Sequence, residues 1–543
     1  MKKYIYIIAI TILFMGCNDF LEPEVESLVV PENVDDPELL VRGAFEHLRS
    51  SNNSWKIWTN TLTNLNNDEV IKSSFRLPLS GRLWNLATFD HRVDNADVKN
   101  VWVDLYGGVN ASNHAILVSR NNENIALEAE ARFIRGFYYW TLTTLYGGVP
   151  IVKSFEDDPF LQRSSIEDVL HFIEEDWEFA VENGPDIPVM AGRITKLTAA
   201  AMLAKLYLYM GGCQEHNIDS WAIPVGTKPE SAKLVSFSNW EDPRTPAEYY
   251  TMAETYLSQV YGQYNLLNNY RDNFRKSGEK DARNSEWLFH IEASATVAES
   301  VPEAFNMAFG FHEESAWHFV PSYEMFGLYH ANDTRIGNVG KRANNGSATE
   351  IIGSFEHVLD VQPNLFGGGA AYVYTKYRRD RAAGLHSRWV TSGMPLLRYA
   401  DVILMYAEAK YLNGDELGAR DLLAEVRGRA SSVFEAVDSV VLGELTTEYF
   451  NTNFMQELMD ERKRELCAEG HRRIDLMRTG MMPTAINALN DTHPTGAEWK
   501  GGGKTVRGMK ENFANQAYTV WFPIPLEQVN LAGYIQNPGY PSE

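Results

Sequence analysis

The densest run of chemically capable side chains is ERKRELCAEGHRRIDLMRTG (461–480). Glu461, Glu465 and Glu469 recur every four residues, which places three carboxylates on one helical face, where acids could act as a proton donor and acceptor. Arg462, Arg464, Arg472 and Arg473 interleave with them. A guanidinium beside a carboxylate favours its ionised form, so these acids are expected to stay charged rather than stand poised to release a proton. The block therefore reads as a structural ion-pair network. His471 reads as an ordinary hydrogen-bonded or exposed histidine, and neither a metal site nor a cofactor is expected.

Other catalytic patterns are near misses. Gly503-Lys504-Thr505 resembles the end of a phosphate-binding loop, but Glu498 stands where the first glycine is required, and Gly501–Gly503 reads as a flexible loop tip. H-E-x-x-H, G-x-S-x-G and a strand-preceded G-x-G-x-x-G are absent from the sequence. No catalytic residue is assigned. A paired-carboxylate glycoside hydrolase stays open as an alternative, because the separation of acids is invisible in sequence.

Sugar binding needs flat aromatic faces for the apolar side of a sugar ring, together with planar donors and acceptors for its hydroxyls. Two regions hold both. Residues 50–89 carry Trp55, Trp58 and Trp84 with Asn53, Asn67, Asp68, Arg76 and Arg82; residues 309–326 carry Trp317, Phe319 and Tyr323. For each tryptophan the competing reading is core packing. Trp102 and Tyr106, in a helical pattern with Asn113, read as core.

Cys17 calls for a different chemistry. Lys2 and Lys3 precede an apolar run from Ile5 to Met15 and a small residue, Gly16. That is the pattern of a secretory signal peptide, too short for a membrane span, which takes about 20 apolar residues. A cysteine directly after the cut is where bacterial lipoproteins receive their acyl chains. Phe14 and Met15 depart from the usual lipobox residues, while the spacing of Gly16-Cys17 fits it. Cys17 is thus expected to be the lipidated residue.

The charge balance narrows partners. The chain has 49 basic against 72 acidic residues, a net −23. Without the two signal lysines this becomes 47 against 72, or −25. Such a surface repels nucleic acid. The two remaining cysteines, Cys213 and Cys467, lie in helical patterns and read as small buried hydrophobes rather than a disulfide scaffold.

The elements that must position these residues are mainly helices. Three- and four-residue spacing marks 37–50, 97–120, 125–146, 164–184, 195–211, 246–261, 395–412, 415–430 and 453–479. In the fourth, Ser164 and Glu167 suggest a capping box and Gly184-Pro185 a stop. Long mixed segments separate them at 51–96, 212–245, 262–394 and 481–523, too long for plain connectors. In 398–430, Ala407, Gly414, Ala419 and Leu423 fall at tetratricopeptide-like offsets. A weaker copy begins at TAAAMLAKLYLYMGG, its second helix displaced to 246–261. The pentapeptide LYGGV occurs at 105–109, inside a helical pattern, and at 145–149, where Pro150 ends one.

Several blocks, taken in order, resemble one family. EARFIRGFYYWTLTTLYGGVPIV, ITKLTAAAMLAKLYLYMGG, PLLRYADVILMYAEAKYL, ERKRELCAEGHRRIDLMRTG and FPIPLEQVN with QNPGY look like SusD/RagB-type lipoproteins over essentially the whole chain. Asp401 stands where glutamate is usual, and Arg473-Ile474 replace the common Trp-Phe. The resemblance implies a mostly α fold of tetratricopeptide-like helix pairs, with large irregular loops that carry short strands and the binding site. It implies a signal peptide (1–16), a lipidated tether (17–36) and a single SusD-like domain (37–543). The helical scaffold would lie mainly in 37–50, 97–261 and 395–480, and the ligand-binding loops in 51–96 and 262–394. It also implies a non-enzymatic role at the outer membrane: binding an oligosaccharide or polysaccharide and delivering it to a SusC-like TonB-dependent transporter. Relatives that bind sugars stack them on aromatics of corresponding loops, which points to Trp84 and Trp317. Trp55, Asn53, Asp68, Arg82 and Tyr323 complete the expected ligand set by composition. Two further readings stay open on the same scaffold: a peptide ligand, and a structural lipoprotein without ligand.

Overall fold

In the computed structural model, the described residues are 35–49, 59–73, 81–154, 157–158, 160–190, 192–274, 286–291, 319–336, 355–357, 372–374, 376, 394–433, 436–492, 502–515 and 520–542. Cys17, Asn53, Trp55 and Trp317 lie outside them, as do the signal segment and nearly all of the expected tether. The helices longer than one turn are α1 (Pro37–Glu46), α2 (Thr59–Asn64), α3 (Arg82–Ala87), α4 (Ala96–Asn121), α5 (Ile125–Tyr146), α6 (Ile166–Asn183), α7 (Lys196–Glu215) and α8 (Pro246–Val260). They continue with α9 (Tyr399–Leu412), α10 (Glu416–Ala430), α11 (Ser439–Glu448), α12 (Phe454–Glu465), α13 (Arg472–Arg478), α14 (Met482–Ala488), α15 (Gly503–Asn515) and α16 (Leu526–Ala532). Strands are short and, among the described residues, pair in twos, all antiparallel: β1 (Val70–Lys72) with β3 (Phe319–Pro321), β2 (Trp287–Ile291) with β6 (Met394–Arg398), β4 (Phe355–His357) with β5 (Tyr372–Tyr374), and β7 (Ser432–Val433) with β8 (Ala436–Val437).

Helix α6 shows the local logic. Ile166, Val169, Leu170, Ile173, Trp177 and Ala180 are buried, as their spacing predicts. Its capping box sits one residue later than the sequence suggests: Ser165 Oγ accepts from the Asp168 N–H at 3.1 Å, and the Asp168 carboxylate accepts from the Ser165 N–H at 3.2 Å. The expected pair is otherwise engaged. The Ser164 N–H donates to the Val149 carbonyl, and the Glu167 carboxylate accepts from the N–H groups of Glu241 and Asp242.

Consecutive helices pack in turn, α4 on α5, α5 on α6, α6 on α7, α7 on α8, α8 on α9 and α9 on α10, forming a mostly helical array of tetratricopeptide-like pairs. Segments 216–245 and 261–398 interrupt the order in sequence but not in space. Helices α5 and α7 are buried on nearly every side, so they lack a polar face. One apolar cluster runs from Val41 to Tyr534. Some of its close approaches need glycine: a Cβ on Gly108 would lie 2.4 Å from the Tyr138 ring, and one on Gly136 2.5 Å from the Trp177 indole. Trp102 is buried among Tyr106, Tyr146 and Tyr534, and Cys213 and Cys467 are buried.

Three expected elements come out differently. Residues 394–398 form β6, not the start of a helix, because they pair with β2 and helix α9 begins only at Tyr399. The expected helix over 453–479 is broken between Glu465 and Arg472. There Ala468 (φ 57°) and Gly470 (φ 85°) adopt left-handed backbone. Their N–H groups donate to the Glu69 carboxylate and, at 3.0 Å, to Asn64 Oδ1. The glycine run read as a loop tip instead leads into α15, which packs on α3 and β1.

The end of α5 is held by cations. At Gly147 (φ 79°) the helix stops, leaving carbonyls of its last turn without partners inside the helix. Arg163 donates to the carbonyls of Tyr146 (3.3 Å), Gly148 (2.8 Å) and Ile535 (2.5 Å) and to Asn537 Oδ1 (2.6 Å). Arg473 donates to the carbonyls of Thr144 and Val520, and Asn537 Nδ2 to those of Tyr146 and Phe522. The QNPGY block is therefore a cap for a helix almost 400 residues earlier, where positive charge suits the carbonyl end.

Candidate functional site

The three glutamates of the charged block are engaged in buried ion pairs. Glu461 takes guanidinium bonds from Arg335 (2.7 Å), Arg427 (2.9 Å) and Arg464 (2.9 Å). Glu465 accepts from Arg335 (3.2 Å), Arg398 (3.1 Å) and Arg429, while Glu469 accepts from Arg398 (2.7 Å) and Lys376 (2.6 Å). Of these cations Arg464 alone is a sequence neighbour; the others arrive from β6, α10 and the segments before them. Arg462 instead pairs with Asp401 and Asp475, each at 2.8 Å. Burial pushes the carboxyl of Glu465 up, but Arg429, Arg398, Arg335 and Lys376 together pull it down to about 2. His471 lies 2.9 Å from Lys205 Nζ, and burial with that ammonium lowers its pKa to about 4. The cavity beside it, about 10 Å³, has room for a water and not for a sugar ring.

Of the aromatic candidates, the described residues Trp84, Phe319 and Tyr323 lie around the β1–β3 ribbon. Asn67 Oδ1 accepts from the N–H groups of Glu69 (2.9 Å) and Val70 (2.8 Å), turning the chain into β1. Strand β1 then pairs Val70 with Pro321, Ile71 with Val320 and Lys72 with Phe319. At the near end of the ribbon Ser322 bonds back to the carbonyls of Glu69 and Asp68. Tyr323 follows, half-buried.

At the far end stands Trp84. Its helix α3 starts after Gly81 (φ 87°) and leaves the indole half-buried, with Lys72 Nζ 5.5 Å from the ring centroid. Helix α15 braces this end: Thr505 Oγ1 donates to the Lys72 carbonyl (2.8 Å), Asn512 Nδ2 to the Thr88 carbonyl (2.7 Å), and Gly508 lies against the indole. Asn66 Nδ2 ties the ribbon to α3 through the Leu86 carbonyl at 2.9 Å. Arg82 is exposed at the start of α3, 3.4 Å from the Asp97 carboxylate.

Trp84 and Arg82 therefore share one helix at one end of the ribbon, and Tyr323 lies at the other. Asp68 is turned inward. Burial raises its carboxyl, but Arg472 (2.7 and 2.9 Å) and Lys463 (2.8 Å) hold it well below the ordinary range. Its oxygens anchor the ribbon to α12 and α13. Beside it, burial pushes Glu69 up to about 7 despite the Ala468 N–H. Sequence reasoning passed over Lys72 and α15; the only signal was GGGKT, which reads as a loop.

A stacked-helix scaffold with long inserted segments places the chain in the helical-repeat class. The chain belongs to the SusD family. The family model matches residues 195–540, and a second model, described as "Starch-binding associating with outer membrane", matches residues 19–208. Among curated relatives, SusD-like protein P25 of Formosa agariphila is 23% identical, with 98% of this chain and 97% of that protein covered. The starch-binding protein SusD of Bacteroides thetaiotaomicron is also 23% identical, over 77% of this chain and 73% of that one. A solved laminarin-binding SusD-like protein superposes with a TM-score of 0.63 at 19% identity, covering 94% of this chain and 100% of that one.

Proposed function

We propose that this protein binds an oligosaccharide or polysaccharide at the outer membrane and delivers it to a SusC-like TonB-dependent transporter, as a lipoprotein tethered through Cys17 and facing the cell exterior. The observation that carries the reading is Trp84: a large indole left half-buried on a braced, six-residue helix at the edge of the inserted segments. A flat apolar face with nearby donors suits a sugar ring. The description of the matching family model and the names of the starch-binding and laminarin-binding relatives support a glycan as ligand and an outer-membrane setting. In this reading Trp84 stacks on a sugar with Arg82 beside it, Tyr323 meets the glycan at the other end of the ribbon, Trp317, Trp55 and Asn53 extend the contact, and Asp68 acts only by anchoring the ribbon.

The test is a glycan screen of the protein lacking residues 1–17, followed by calorimetric titration of Trp84→Ala. Loss of an aromatic-specific term of about 0.5–1.5 kcal/mol plus apolar contact should weaken binding by roughly one to two orders of magnitude. Unchanged affinity in a folded Trp84→Ala variant removes the indole from the site. For the tether, Cys17→Ala should move the full chain out of the detergent phase; retention there would place the anchor elsewhere.

A further inference from the structure

Lys72 is a buried cation with little company among the described residues. It is 1% exposed, yet there its ammonium has one hydrogen bond, to the adjacent Ser73 carbonyl at 3.0 Å, and one ring contact, to Trp84. An ammonium carries three donors and is costly to bury without an anion. Among the described residues, three other lysines meet that cost with a carboxylate: Lys205 with Asp401, Lys376 with Glu469 and Lys463 with Asp68. The two buried arginines at the end of α5, Arg163 and Arg473, donate instead to several carbonyls. Among the described residues Lys72 has neither arrangement. Burial lowers its pKa to about 8.

The position of this ammonium is informative. It lies beside the indole assigned above to the sugar, on a strand braced by α15 through Thr505. Lys504, exposed next to Thr505, and Arg82 on α3 add basic residues to the elements that frame Trp84, in a chain with net charge −23.

We infer that Lys72 is a specificity-determining residue that receives an anionic substituent, a uronate carboxylate or a sulfate ester, of a glycan docked at Trp84. The inference rests on the reading of Trp84 as the sugar platform and adds the chemical class of the sugar. A carboxylate or sulfate oxygen supplies the anionic acceptor that the described residues do not give this ammonium, and a charge-assisted bond of this kind outweighs a neutral one.

The experiment titrates wild type, Lys72→Met, Lys72→Arg and Trp84→Ala with three probes: oligogalacturonate, a sulfated galactan oligosaccharide and neutral laminarin oligosaccharide. Thermal melts confirm folding. The expected result is that wild type binds one of the two acidic probes, with affinity falling as sodium chloride rises. Lys72→Met should lose at least tenfold on that probe, and Lys72→Arg should keep most of the affinity. Which acidic probe binds separates carboxylate from sulfate. Wild-type binding to laminarin alone overturns the inference, as does equal affinity of wild type and folded Lys72→Met for the acidic probe. In either case a Trp84→Ala loss leaves the glycan reading standing. If Lys72→Met does not fold, the salt dependence of wild type and the Lys72→Arg titration decide, and salt-independent binding overturns it. Binding to none of the probes overturns the inference, and persistent binding by Trp84→Ala removes the platform itself.

Discussion

Glu465→Gln should destabilise the fold strongly at neutral pH and less so in acid. The side chain is fully buried and receives guanidinium bonds from Arg335, Arg398 and Arg429. Replacing the carboxylate with an amide of equal size leaves those cations short of an anion, a change that costs about 3–5 kcal/mol for buried pairs. Linkage gives an independent figure. The carboxyl is lowered from 4.5 to about 2. At about 1.36 kcal/mol per unit, the charged form contributes about 3 kcal/mol at pH 7. Because the folded pKa is the lower one, this contribution is complete above the unfolded value near 4.5 and drains away as pH falls towards 2. At pH 3.5 the gap between wild type and variant should shrink by roughly 1–1.5 kcal/mol. Urea titrations followed by tryptophan fluorescence at pH 7, 5 and 3.5 measure it. Equal midpoints at pH 7, or a gap that does not narrow in acid, would refute the reasoning.

Arg163→Met should cost about 2–4 kcal/mol, since it strands buried carbonyls at the end of α5, and should make the chain after Trp521 an early site in limited proteolysis. An unchanged melting temperature and cleavage pattern would show that Asn537 holds that junction alone. Titrations of Trp84→Ala and Lys72→Met and phase partitioning of Cys17→Ala address platform, ligand charge and tether separately.

Legibility differed from element to element. The buried stripe of α6 was readable because one helical face repeats every three or four residues and a capping residue announces its start, even though the cap lay one position further on. Burial of Cys213 and Trp102 followed from their place in such patterns, whereas Cys467 is buried in the break between α12 and α13. Trp84 could be singled out by residue type, but its half-buried setting depends on α15, more than 400 residues later. Asp68 looked like a loop acid because neither Arg472 nor Lys463 is near it in sequence.

By itself the sequence determined what depends on neighbours in the chain: helix periods and the ordered blocks that mark the family, whereas the 461–480 acids are met largely by cations distant in sequence. Tertiary structure decided which cations those acids meet. Arg335 and Glu461 are 126 residues apart, and Arg398 and Glu465 are 67. It also decided the two fates of LYGGV. At 105–109 the pentapeptide stays helical, with Gly108 giving way to the Tyr138 ring; at 145–149 Gly147 turns left-handed, and Arg163 and Asn537 take up the released carbonyls. Identical residues have identical local preferences, so the difference comes from what packs against them: an aromatic ring in one place, and a guanidinium with an asparagine amide in the other.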